Sequence, residues 1–120
     1  MISFKEKIKS IFHSILPVLV KKNHDYGDSN LIEDGLYGIS IRMKDKINRL
    51  KNLCHEKPQV DESIEDTLED IIGYSFNALR LINDKKLTMF GDNNPLETNE
   101  YLKAKINELQ NKLDRIADDK

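Results

Sequence analysis

The segment DESIEDTLEDIIGYS places Glu62, Asp66 and Asp70 four residues apart, with Tyr74 four further on. On a helix that spacing stacks the side chains along one edge, a turn apart. Carboxylates so stacked repel one another, so either water screens the stripe or cations neutralise it. Oxygen ligands at this spacing suit Mg²⁺, which takes a few carboxylates, several waters and substrate phosphates. Asp70 lies nearest the apolar boundary of the helix, where burial without a partner is costly. Glu65 and Glu69 are expected to be plain surface residues.

An opposite set precedes it. Arg42, Asp45, Lys46 and Arg49 recur at i, i+3, i+4 and i+7 and so share one helical side. A phosphate fits between these cations and a metal held by Asp45, Glu62, Asp66 and Asp70. A third cluster, KKNHDYGDSN, has no aliphatic residue and gathers His24, Asp25, Tyr26 and Asp28 around Gly27. A spacer needs only polarity. An imidazole, an aromatic ring and two carboxylates about a flexible hinge have the composition of a binding loop.

The elements that must position these groups are helical. SFKE is a capping box that starts a first helix at Ser3, and Phe4, Ile8, Ile11, Phe12, Ile15, Leu16 and Leu19 give it an apolar face. That face reads as a core helix, with Pro17 expected to kink it or break its hydrogen-bond ladder. A second helix is expected over Ile39–His55. After a linker broken by Pro58, a third runs from Asp61 to Asn83. Its Ile64, Leu68, Ile71, Ile72, Ala78, Leu79 and Ile82 cluster on one side. NPLE reads as a last helix start, with Asn94 as cap and Pro95 in the first turn. Beyond it Leu102, Ile106, Leu109, Leu113 and Ile116 form an a/d heptad seam. The seam is too short to stand alone and is expected to meet a partner chain. The fold is therefore expected to be all-α, a compact bundle of about four helices with core 1–90 and an oligomerising helix 91–120.

Composition limits the partners. The chain has 120 residues, enough for one small domain, and a net charge of only −2. No global field recruits duplex nucleic acid or a membrane. The run IFHSILPVLV is too short to span a bilayer. A single cysteine, Cys54, excludes an intrachain disulfide and suits a reducing cytoplasm; it is expected to be a small buried hydrophobe.

Three stretches together resemble a known family: DYGDSN, then GLYGISIRMKDKINRLKNL, then DESIEDTLEDIIGYSFNAL. They are similar to the nucleotide modification associated domain of phages and prophages over roughly Lys21 to Leu81. The resemblance implies a helical bundle that handles nucleotides in the host cytoplasm. A more distant likeness is to MazG-type all-α nucleotide pyrophosphohydrolases, which hold Mg²⁺ through paired acids on two helices. Against that pattern Asp45 and Asp70 match second acids, while Arg42 and Thr67 stand where first acids belong. An arginine there favours gripping a phosphate directly.

The resemblance implies that Tyr26 stacks on a base or ribose, Gly27 permits close approach, and Asp25 or Asp28 accepts hydrogen bonds. The expected ligand set is His24, Asp25, Tyr26, Asp28, Arg42, Lys46, Arg49, Asp66, Asp70 and Tyr74. No catalytic residue is assigned. The expected function is a homo-oligomeric protein that sequesters a nucleotide or cyclic-nucleotide-like signal without turnover, in the manner of anti-defence sponges. The alternatives are a Mg²⁺-dependent nucleoside triphosphate pyrophosphohydrolase and a helical protein-interaction adaptor.

Overall fold

The computed structural model describes residues 1–57 and 62–118 and, of Tyr26 and Asp118, the backbone only. Five helices occupy the described chain: α1 (Phe4–Tyr26), α2 (Ser29–Glu33), α3 (Gly35–Leu53), α4 (Ile64–Asn83) and α5 (Glu100–Asp118). Among the described residues the one β feature is an isolated antiparallel bridge between Thr88 and Pro95. The fold is all-α, as the periodicities require. The expected breaker Pro58 and the expected helix start at Asp61 lie outside the described residues.

Two helices open with reciprocal capping boxes. In α1 the Glu6 amide donates to Ser3 Oγ and the Ser3 amide to Glu6 Oε2, both at 3.2 Å. In α4 the Asp66 amide donates to Ser63 Oγ at 3.0 Å, and the Ser63 amide to Asp66 Oδ2 at 3.1 Å. Each box satisfies two amides that a helix start otherwise leaves orphaned.

Helix α1 is longer than its apolar pattern suggests. It passes through Pro17 and takes in KKNHDY, so the cluster expected as a loop is the helix's last turns. Nothing before Gly27 stops a helix. Gly27 does, at φ 69°, with its amide donating to Asn23 O at 2.8 Å.

The core forms where α3 packs on α4, with α2 closing over α3. Ile39 and Leu81 are 1% and 0% exposed, and Leu31, Ala78 and Leu87 complete the cluster. The connection after α4 is part of this core. Leu87 and Thr88 are buried, and the carbonyls of Thr88 and Met89 accept the free amides of Leu36 and Tyr37 at 2.8 and 2.9 Å. That docking caps α3 with backbone rather than a side chain. It requires glycines: a Cβ on Gly35 would meet Thr88 O at 2.5 Å, and one on Gly91 would collide with Glu33 O. Met89 and Phe90 at the tip are exposed.

Three expectations change. NPLE does not start a helix: Leu96 donates to Leu87 O at 2.7 Å, and α5 begins at Glu100, capped by Asn99 Oδ1 accepting from Leu102. Pairing with the buried Leu87 segment outcompetes the local capping signal. Cys54 is exposed, because it follows the last turn of α3 beyond the core. Helix α1 is not a core helix within one chain. It lies antiparallel to α4, with Phe12 and Phe76 edge to face at 5.1 Å, but of its apolar face only Ile15 is buried.

Candidate functional site

Where α1 approaches α4, the two helices and α2 enclose a crevice with a cavity of about 130 Å³. Gly73 makes the approach possible. A Cβ at that position would stand 2.9 Å from Leu19 Cδ2, so a glycine in mid-helix exchanges helix propensity for closeness. Ile15, Val18 and Leu19 form an apolar wall. Lys22 and Asn23 of α1, Asn30 of α2, Arg42 of α3 and Glu69, Asp70, Tyr74 and Asn77 of α4 supply the crevice's polar and charged lining.

The charges are organised as a chain of alternating ion pairs. Lys22 Nζ lies 2.5 Å from Asp70 Oδ1, and Lys46 Nζ lies 2.8 Å from Asp70 Oδ2. Lys46 also reaches Glu62 Oε1 at 2.9 Å, and Arg49 Nε reaches Glu62 Oε2 at 2.6 Å. One continuous network thus ties α1, α3 and α4 together. Burial pushes the Asp70 carboxyl up, but Lys22 and Lys46 together outweigh burial and hold it below its ordinary value. Hydrogen bonding to Asp70 raises the Lys46 ammonium in turn, against its own desolvation.

A second pairing latches the rim. Arg80 donates to Asp28 through Nη1 at 3.1 Å and Nη2 at 2.7 Å, a two-pronged carboxylate contact. Asn23 Nδ2 donates to the same carboxylate at 2.7 Å, and Asn77 Oδ1 accepts from Arg80 Nη2 at 2.9 Å. Arg80 is the main reason the Asp28 carboxyl sits below its ordinary value, and burial opposes it. Asp28 therefore fixes the end of α1 against α4.

Arg42 differs from the other cations. One guanidinium N–H donates to Asn30 O at 3.2 Å. Among the described residues no carboxylate lies within ion-pair distance of it, whereas Lys22, Lys46, Arg49 and Arg80 are all paired.

The expected site residues therefore divide. Arg42, Asp70 and Tyr74 line one crevice, and Asp28 anchors its rim. Lys46 and Arg49 stand behind, committed to Asp70 and Glu62. His24 and Asp25 face solvent, with their side chains 87% and 57% exposed. Asp66 is exposed and engaged in the α4 capping box. The stacking expected of Tyr26 lies outside what the structure describes. The four acids expected to share a cation do not meet. Asp45 is exposed and borders a separate surface hollow beside Arg49, and among the described residues no group of three or more His, Cys, Asp or Glu converges. With Asp70 and Glu62 saturated by lysine and arginine and Asp66 used as a cap, this donor set does not fit a Mg²⁺ cage.

Sequence reasoning missed Lys22, Asn23, Asn30, Asn77 and Arg80, and it left Glu69 at the surface although it lines the crevice. Some of the signal was present. SIED is itself a capping box, which accounts for Asp66, and Asn77 and Arg80 continue the Asp66–Asp70–Gly73 edge of α4 by helical spacing.

The architecture is that of a small all-α protein with a charge-walled crevice between helices. The chain belongs to the family described as nucleotide modification associated domain 1, whose model matches residues 22–82, half of the chain. That span starts at Lys22 and covers the ion-pair network, Arg42 and the polar edge of α4. No curated protein and no solved structure matches the chain. Among the described residues no helix is long and apolar enough to cross a membrane.

Proposed function

We propose that the crevice between α1, α2 and α4 binds a nucleotide or nucleotide-derived small molecule and holds it without turnover. The carrying observation is Arg42, the crevice cation that, among the described residues, no carboxylate satisfies. A guanidinium with free donors on the wall of a crevice suits a phosphate, which it can grip with two parallel hydrogen bonds. Family membership supports a nucleotide-related role.

Size and lining fit the rest of such a ligand. A cavity of about 150 Å³ lined by apolar side chains accommodates a benzene ring; this one, at about 130 Å³, takes one planar ring and little more. A base inserted beside Ile15, Val18 and Leu19 finds amides on the facing wall, which supply both donors and acceptors to its edge. The sugar and phosphate then lie toward the mouth, within reach of Arg42.

Retention without hydrolysis follows from how the acids are used. A pyrophosphohydrolase needs carboxylates free to hold metal and activate water, and here Asp70 and Glu62 neutralise cations while Asp66 caps a helix. In a host cytoplasm such a protein acts as a sponge that lowers the free level of a nucleotide-derived signal. The test is incubation with a panel of linear and cyclic nucleotides plus Mg²⁺, followed by mass spectrometry after heat denaturation. The ligand is expected back chemically intact with no pyrophosphate formed. Release of pyrophosphate, or a panel in which nothing binds, rejects the reading.

A further inference from the structure

The second feature of α1 and α4 adjoins the crevice. Toward the start of α1, Ile8, Ile11, Phe12, Ile72 and Phe76 continue from the shared Ile15 and Leu19 as an apolar groove between the two helices, with no polar side chain in its walls. Along its edges Ile64, Leu68 and Leu79 of α4 and Phe4 of α1 are exposed. Helix α4 is thus apolar on two sides, one packed on α3 and one open.

The whole molecule records the same excess. A folded monomer of this mass exposes about 6,700 Å², and the chain exposes 9672 Å². Its radius of gyration is 17.0 Å, against about 14 Å for a compact chain of this length. The surplus, roughly 3,000 Å² per chain, exceeds the 1,000 to 2,500 Å² or so that each partner contributes to an obligate homodimer. Part of it belongs to α5, which packs closely on none of the other helices. Exposed apolar side chains of α1 and α4, among them Phe4, Ile8, Ile11, Phe12, Ile64 and Leu68, supply another part.

We propose that this face is covered by the same face of a second copy of the chain. A two-fold interface must be self-complementary, and this one is. The first turns of α1 carry Lys5, Lys7 and Lys9, while the start of α4 carries Glu65 and, at the boundary with the crevice, Glu69, so an antiparallel pair sets basic rim against acidic rim around an apolar centre. The interface also reaches the ligand site. Ile15 and Leu19 line both the groove and the crevice, so covering the groove fixes one wall of the binding cavity.

Sedimentation of the full chain from 1 to 100 µM, with melting curves over the same range, tests this. A mass of at least two chains is expected, with a melting temperature that climbs with concentration because association stabilises the folded state. Ile8→Glu and Leu68→Glu, at positions 48% and 46% exposed, are each expected to yield a single-chain mass of 13.9 kDa with helical circular dichroism retained. Leu109→Glu on α5 should leave at least the dimer. The proposal is overturned by a single-chain mass with a concentration-independent melt, including a monomer that binds only lipid vesicles or other proteins. It is equally overturned if the α1 and α4 variants stay associated while Leu109→Glu dissociates.

Discussion

Asp70 and Arg42 show how the same crevice uses charge in two ways. Asp70 is neutralised from both sides by Lys22 and Lys46, so it builds the site's framework. Its lowered carboxyl pKa means that its stabilisation is complete above the unfolded value near 3.8 and is lost as pH falls through the folded value. Asp70→Asn should therefore melt below wild type at neutral pH, with the two curves converging as the pH is lowered beneath about 4. A gap that stays constant with pH contradicts this. The Asp28–Arg80 latch is partly exposed, so Asp28→Asn should cost only about 1 kcal/mol of stability while loosening the rim. Chemical denaturation and hydrogen exchange at α2 check both effects. At this scale the sequence was half legible. Helical spacing put Asp70 with Tyr74 on one helix, and Arg42, on another, was joined to them only through the expected phosphate site and the family resemblance. Lys22 with Asp70 and Asp28 with Arg80 join residues 48 and 52 positions apart, which no local pattern encodes.

Helical elements were read well where capping or periodicity was clear. The Ser3 start of α1 follows from its capping box, and the body of α3 and α4 from amphipathic spacing. The misreadings have two causes: a helix continues where no local signal stops it, and a local capping signal yields to tertiary pairing. KKNHDY has no apolar periodicity, yet it extends α1 because nothing halts the helix before Gly27. NPLE has a capping signature, yet it pairs with the buried Leu87 segment. Glycines separate strain from crowding here. Gly27 has positive φ with open space around it, whereas Gly91 has positive φ and the Glu33 carbonyl against it. Gly27→Ala should cost about 1 to 2 kcal/mol from backbone strain alone. Gly91→Ala should cost more than that, since it also undocks the cap of α3. Equal losses in urea denaturation run against this account of the 87–91 segment.

The whole molecule is an open assembly of helices whose closed core lies between α3, α4 and the 87–96 segment. The fold class was visible from the sequence, but the exposure of α1 was not, because periodicity reveals an apolar face and not what covers it. The bundle accordingly has a polar crevice, proposed to take a ligand, and an apolar groove, proposed to meet a second copy, which adjoin at Ile15 and Leu19.

Central to the proposed function is Arg42, which pairs with no carboxylate among the described residues and is proposed to hold an anion. Calorimetric titration of a nucleotide that the wild type binds, repeated on Arg42→Ala and Asp66→Ala, addresses it directly. Loss of a charge-assisted contact predicts affinity about 10- to 100-fold weaker for Arg42→Ala, with Asp66→Ala binding as wild type. Unchanged affinity in Arg42→Ala, or a collapse of binding in Asp66→Ala alone, contradicts the account and returns the function to the acids.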